Sequence, residues 1–310
     1  MRIAVIGAGG VGGYFGARLA AAGADVTFVV RGRTLDVLRR RGIRVESIAG
    51  DFTVPNVKAT DSPSDPVDAI LMATKAWQLR EAAEQVRPIV GPETVVVPLQ
   101  NGIDAPEQLA SVLGESHVAG GLCAIVAFVE EPGVIRHIGA EPLIAFGEMD
   151  GRPSERLERL RDVIVAAGIK CEIPPDIRRS MWTKFVFIAP FSGVGSITRM
   201  PVGTWRTVPE TRSLAERAVA EVIALAGAAG VRLDDDAGAR TMARYDALPP
   251  ASTPSMQRDI EGGRPSELEA QLGDVVRLGR KHGVPTPLHE WMYAALLPAE
   301  GAARAAAGMT

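Results

Sequence analysis

Ile3-Ala4-Val5-Ile6-Gly7-Ala8-Gly9-Gly10-Val11-Gly12-Gly13-Tyr14-Phe15-Gly16-Ala17 lies at the start of the chain, four apolar residues running straight into glycines at 7, 9 and 12. This is the spacing of a buried strand, a tight turn and a helix start. Gly7 permits the turn, Gly9 lets the backbone approach a pyrophosphate, and Gly12 lets the helix pack closely on the strand, while the first helical amides face the anion. Working outward, the pattern predicts a helix over 10–22, Gly23 at its C-terminal end and a second strand over 25–30, so that one βαβ unit closes in about thirty residues. The run after Arg2 that ends in Ala20-Ala21-Ala22 has the outline of a signal peptide, but its glycines make a poor hydrophobic region.

The carboxyl end of that second strand selects the dinucleotide. An NAD-binding chain carries Asp or Glu there for the ribose 2′-hydroxyl. Here the residues are Val29-Val30-Arg31-Gly32-Arg33, and Asp25 lies at the opposite end of the strand. A guanidinium suits a 2′-phosphate because it presents paired donors and a permanent charge. NADPH is therefore the expected cofactor, held by Gly7, Ala8, Gly9, Gly10, Val11, Gly12 and Arg31.

Length and composition bound the rest. The 310 residues are 46% hydrophobic and 23% charged, the profile of a soluble globular protein, and suffice for two domains. A net charge of -3 argues against general nucleic-acid binding, and no apolar run is long enough to span a membrane. Cys123 and Cys171 read as core thiols in a reducing cytoplasm, and the four histidines lack metal-ligand spacing, so no metal is expected.

Further along, a helix is expected over 34–41, an irregular hairpin over 43–57 and a buried strand over 69–73 that runs into Thr74-Lys75-Ala76-Trp77-Gln78. Ligands of open α/β sheets sit beyond the carboxyl ends of the strands, which puts Lys75 beside cofactor phosphate or ribose. The strand at 94–97 ends in Pro98-Leu99-Gln100-Asn101-Gly102. Asn101 can donate and accept at once, which suits a carboxamide or a substrate oxygen; an Asn-Gly turn without a ligand fits the spacing equally well. Strands at 118–128, 133–138 and 143–146, a helix at 154–167 and a strand at 169–173 complete a first domain that ends at Pro174-Pro175. The fold class is thus α/β, a Rossmann-type dinucleotide-binding domain (1–175) followed by an all-α domain (176–310). Helices are expected at 176–191, 209–229, 234–246, 266–282 and 287–297, with a frayed tail over 298–310.

Within Met181-Trp182-Thr183-Lys184-Phe185-Val186-Phe187-Ile188 a single lysine is embedded in an apolar helix. It is either a general acid or a lysine that snorkels out at the helix edge, and the segment alone leaves both readings open. Taken together, the glycine turn, Arg31, Thr74 to Gln78, Asn101-Gly102, Pro132-Gly133, Trp182 with Lys184, and Ser255-Met256-Gln257 with Asp259 and Glu267 resemble the ketopantoate reductase family over nearly the whole chain. That resemblance implies an NADPH-dependent oxidoreductase that converts 2-dehydropantoate to pantoate in pantothenate and coenzyme A synthesis. It implies that Lys184 protonates the ketone oxygen, that Asn101 contacts nicotinamide and substrate, and that Ser255 holds the substrate carboxylate. Lys75 and Gln78 would line the adenosine side, Ala127 would touch the cofactor and Glu267 would face the nicotinamide ribose. The helical domain would hold the substrate and any homodimer contact.

One departure bears on the substrate. The family pattern places asparagines four and eight residues after the lysine, where this chain has Ile188 and Ser192. Ile188 cannot hydrogen-bond, and Ser192, kept as a substrate contact, offers only a hydroxyl. The alternatives are a more apolar 2-oxo or hydroxy acid on the same scaffold, or a non-catalytic NADP(H)-binding sensor.

Overall fold

The computed structural model describes residues 1–309. They divide into two compact units, one of 1–100 with 105–177 and the other of 101–104 with 178 onward. The chain leaves the first unit after Gln100, lends four residues to the second, and returns at Ala105.

The first unit contains β1 (Arg2–Ile6), α1 (Gly10–Ala21), β2 (Asp25–Val29), α2 (Gly32–Arg41), β3 (Ile43–Ser47), β4 (Phe52–Val54), β5 (Lys58–Thr60), β6 (Val67–Met72), α3 (Leu79–Val86), β7 (Val90–Pro98), α4 (Ala105–Leu113), β8 (Ala119–Glu131), β9 (Val134–Glu148), α5 (Glu155–Ala166) and β10 (Lys170–Glu172). Its main sheet runs β5-β2-β1-β6-β7, and every pairing in it is parallel. Successive β1 residues feed opposite faces: Ile3 and Val5 join a cluster with Phe15, Phe28 and Val95, while Ala4 and Ile6 pack with Ile70, Met72, Leu79 and Val86. Burial on both faces is why the strand reads as a continuous apolar run rather than an alternating one. Chain order reverses between β1 and β6, which fixes the crevice at the carboxyl ends of those strands.

A second sheet, β10-β9-β3-β4, carries β8 paired antiparallel to β9. Here the structure corrects the expectation of separate strands over 133–138 and 143–146, because β9 passes through both. Gly139 takes φ +89°, and the β8 register shifts between Ala124 and Val126. The irregularity is absorbed as a bulge rather than a chain break.

The second unit holds α6 (Ile177–Thr198, its first residue still in the first unit), α7 (Val202–Trp205), α8 (Pro209–Ala228), α9 (Ala237–Ala247), α10 (Ser255–Glu261), α11 (Asp274–His282) and α12 (Pro287–Ala306). The helix expected over 176–191 extends to Thr198 although Pro190 lies inside it, and the short helices α7 and α10 were not foreseen. The helix expected over 266–282 runs from Leu268 to His282, with a π-helical turn at Glu269–Gly273 leading directly into α11.

The tail expected to fray over 298–310 is helical as far as Ala306; Thr310 lies outside the described residues. Glu300 explains the order. Its buried carboxylate accepts from the Ser266 amide at 3.0 Å, the Ser266 hydroxyl at 2.6 Å and Arg304 Nε at 2.6 Å, so unwinding this stretch would strand a charge. At the other end of α12, Glu221 accepts from the Leu288 amide at 2.8 Å and lies 2.7 Å from His289 Nδ1. The negative end supplied to the helix comes from α8, since Thr286 makes no side-chain cap. Among the described residues, no helix is long and apolar enough to cross a membrane.

Candidate active site

In the first unit, a cavity of about 280 Å³ opens at the carboxyl ends of β1 and β2, lined by Gly7, Ala8, Gly9, Arg31, Thr34 and Gln78 among others. The backbone makes most of it. Gly7 takes φ +89°, which a side chain would resist, and a Cβ on Gly9 would meet nothing within 4 Å, so that face is open to a ligand. Gly10, Val11 and Gly12 form the first turn of α1, whose start no side chain caps. A Cβ on Gly12 would lie 2.0 Å from the Gly7 carbonyl, and one on Gly10 would lie 2.2 Å from the carbonyl oxygen of Ala127 in β8. The helix therefore reaches this position only because both residues are glycine.

These groups fit a dinucleotide: a space with open amide-bearing backbone at its base and a guanidinium in its wall. That guanidinium is already engaged. Arg31 Nη1 lies 2.5 Å from Glu81 Oε1, and Glu81, on α3, lines the same cavity. Both side chains are well exposed, so the pair contributes about 0–1 kcal/mol and yields readily to a phosphate. Glu81 was missed in the sequence; its only signal is an acidic residue one turn into the helix that follows Gln78. Lys75, expected on the adenosine side, does not line this cavity, and its ammonium lies over the Trp77 ring at 5.6 Å.

In the second unit, Asn101 and Glu267 meet despite their separation in sequence. Asn101 Nδ2 donates to Glu267 Oε2 at 3.4 Å. The segment carrying Asn101 is held at several points: Gly102 takes φ +119° with space for a Cβ denied by the Ala270 carbonyl, the Ile103 amide donates to Asp274 at 3.5 Å, and Asp104 pairs with Arg277 at 2.8 Å. Asp274 is almost wholly buried; desolvation and the nearby Asp104 push its carboxyl up to about 8 despite the Arg277 contact.

Lys184 and Ile188 are half-buried on α6. Ser192, expected among the substrate contacts, is instead fully buried, and its hydroxyl has no partner among the described residues, so a small molecule cannot reach it in this conformation. The physical reason lies between the two positions. Pro190 has no amide for the Val186 carbonyl, and Tyr245 from α9 enters the ladder at that turn: its hydroxyl donates to the Phe187 carbonyl at 2.7 Å and interacts with the Phe191 backbone. Ser255 is the first residue of α10 and half-buried.

Models of the ketopantoate reductase PanE/ApbA family match residues 3–151, and of its C-terminal part residues 176–300. A 2-dehydropantoate 2-reductase of Nostoc sp. is 30% identical over 298 residues, 94% of this chain and 93% of that one. The chain belongs to the ketopantoate reductase family. Within this oxidoreductase family, a protein of Bacillus subtilis described as an uncharacterized oxidoreductase, YkpB, is also 30% identical, covering 96% of this chain and 98% of its own. The crystal structure of 2-dehydropantoate 2-reductase from Geobacter metallireducens GS-15 superposes with a TM-score of 0.90 at 34% identity, over 96% of this chain and all of that one. The likeness to a ketopantoate reductase fold therefore extends over nearly the whole chain.

Proposed function

We propose that this chain reduces the ketone of a 2-oxoacid to the 2-hydroxy acid with NADPH, and that the substrate is 2-dehydropantoate, the compound named for its curated relatives. The observation that carries the reading is the glycine-floored cavity with Arg31 in its wall, on a chain of this family. Gly7, Ala8 and Gly9 accommodate the pyrophosphate, with Gly10, Val11 and Gly12 setting the helix behind it. Arg31 meets the 2′-phosphate, Gln78 borders the adenosine side and Ala127 backs the glycine turn. NADPH, when bound, supplies the reducing equivalent. Lys184 stabilises the charge that develops on the ketone oxygen and delivers its proton. Asn101, held by Glu267, orients the reacting groups, and Ser255 offers its hydroxyl to the substrate. The two unbridged thiols support a reducing, cytoplasmic setting: Cys123 is buried, and burial pushes Cys171 up to about 12.

A second reading, a more apolar 2-oxoacid, is favoured by a specific observation. Half-buried Ile188 follows Lys184 by one helical turn, with half-buried Phe187 beside it, so the accessible part of this face offers hydrocarbon where the family offers amide. The test is loss of NADPH absorbance with purified protein and 2-dehydropantoate, beside pyruvate, 2-oxoisovalerate and larger 2-oxoacids, with NADH as the cofactor control. Turnover of 2-dehydropantoate with NADPH establishes the first reading, and preference for a larger apolar acid establishes the second. Cofactor binding without turnover of any of them refutes both.

A further inference from the structure

Asn101, Gly102, Ile103 and Asp104 are the four residues that the chain lends to the second unit. Each meets a different residue of the segment that runs through the π-helical turn into α11. Asn101 Nδ2 donates to Glu267 at 3.4 Å, and a Cβ on Gly102 would lie 2.8 Å from the Ala270 carbonyl oxygen. The Ile103 amide donates to Asp274 at 3.5 Å, and Asp104 pairs with Arg277 at 2.8 Å. The partners at 267, 270, 274 and 277 are three, four and three residues apart, the spacing of one helix face. The loop therefore climbs that face residue by residue, with the Asn101 carboxamide at one end and the Arg277 guanidinium at the other.

The two ends are held unequally. Arg277 binds Asp104, Asp274 and, at 3.0 Å, Glu269, while Glu269 also accepts from the Tyr293 hydroxyl of α12. Asp274 is almost wholly buried, and desolvation with the nearby Asp104 pushes its carboxyl up to about 8, so near neutral pH it is Asp104 that brings negative charge from the loop to Arg277. At the other end the bond from Asn101 to Glu267 is 3.4 Å long. A single bond of that length does not fix a carboxamide, so its aim depends on where the rest of the loop is held.

Resting on the function proposed above, in which Asn101 orients the reacting groups, we propose that Arg277 is a positioning residue for Asn101. By gripping Asp104 it sets the register of the loop on the helix, and through that register the aim of the carboxamide. Arg277 acts through Asn101 and not on the substrate.

The test measures kcat, KM and NADPH affinity for Arg277→Gln, Arg277→Lys and Asp104→Asn, each in the wild-type chain and in Asn101→Ala, with the best 2-oxoacid. Arg277→Gln and Asp104→Asn are each expected to lower kcat about tenfold, with NADPH affinity unchanged. Arg277→Lys should recover part of the loss, since it keeps the charge without the fork. In the Asn101→Ala chain the same substitutions should lower kcat no further, because the residue they position is gone. Normal kcat in both Arg277→Gln and Asp104→Asn overturns the assignment. So does an equal further loss in the Asn101→Ala chain, which marks a structural role independent of Asn101. Should Arg277→Gln fail to fold, Asp104→Asn, which keeps the shape of the side chain, decides by the same two criteria. If wild type reduces no 2-oxoacid, or Asn101→Ala turns over normally, the proposed function or the role of Asn101 within it has failed and the positioning role falls with it.

Discussion

The cofactor end of the first unit and the lysine helix of the second are built on opposite principles. Around Gly7 to Gly12 the site is backbone: turn geometry, helix amides, and glycines whose missing Cβ atoms make room for neighbouring carbonyls. Around Lys184 the site is side chain: a lysine on a helix that continues through Pro190, where a tyrosine hydroxyl from another helix donates to the backbone and the hydroxyl of Ser192 is buried without a partner among the described residues. A backbone site depends on residues a few positions apart. A side-chain site depends on what distant segments bring to it.

The largest expected effect isolates the second region. Lys184→Ala should lower kcat by about two orders of magnitude or more while NADPH affinity stays the same. Near-normal turnover would remove Lys184 from the chemistry. The first region should respond in the converse way: Gly10→Ala forces a Cβ against the Ala127 carbonyl, at a cost of about 1–3 kcal/mol. A lowered melting temperature and weaker NADPH binding are expected together, and loss of neither would mean that α1 and β8 can separate freely.

A finer contrast lies within the cofactor cavity. Arg31→Ala should weaken NADPH about tenfold, roughly one charge-assisted hydrogen bond, and leave NADH unchanged, whereas Glu81→Gln should tighten NADPH by a smaller factor because it frees the guanidinium. Equal effects of Arg31→Ala on both cofactors would show that Arg31 does not meet the 2′-phosphate. Isothermal titration distinguishes these outcomes.

The smallest effect concerns pH. The Asp274 carboxyl ionises near 8 in the folded chain, above its ordinary value of 3.8, so the native state holds a proton that the unfolded chain has released. This contribution to stability is complete below about pH 4 and is lost as pH rises through 8. Melting temperature followed from pH 5 to 9 should therefore decline less steeply in Asp274→Asn than in wild type. Identical slopes would mean that Arg277 keeps Asp274 ionised throughout.

Much of the first region could be read from the chain directly. The strand, turn and helix at 3–22, the close approach at Gly12 and the parallel sheet all follow from apolar runs and glycine positions. Glu81 was less accessible because its meeting with Arg31 spans fifty residues. In the second region the existence of helices was readable from periodicity, but their lengths and faces were not. Pro190 argues locally for a helix end, yet α6 continues because Tyr245, from another helix, takes part in hydrogen bonding at the break. The tail has a composition that suggests fraying, yet it stays helical because Glu300 anchors it to Ser266.

The sequence by itself determined the βαβ start, the need for glycine at 7, 9 and 12, the arginine that stands where an acid would select NAD, and the lone lysine in an apolar helix. Only the tertiary structure decided that Ser192 is sealed from solvent and that Asn101 belongs with Glu267. The physical reason is range. Backbone conformation and excluded volume act between neighbours in the chain, whereas burial and charge pairing depend on segments that meet only after the chain has folded.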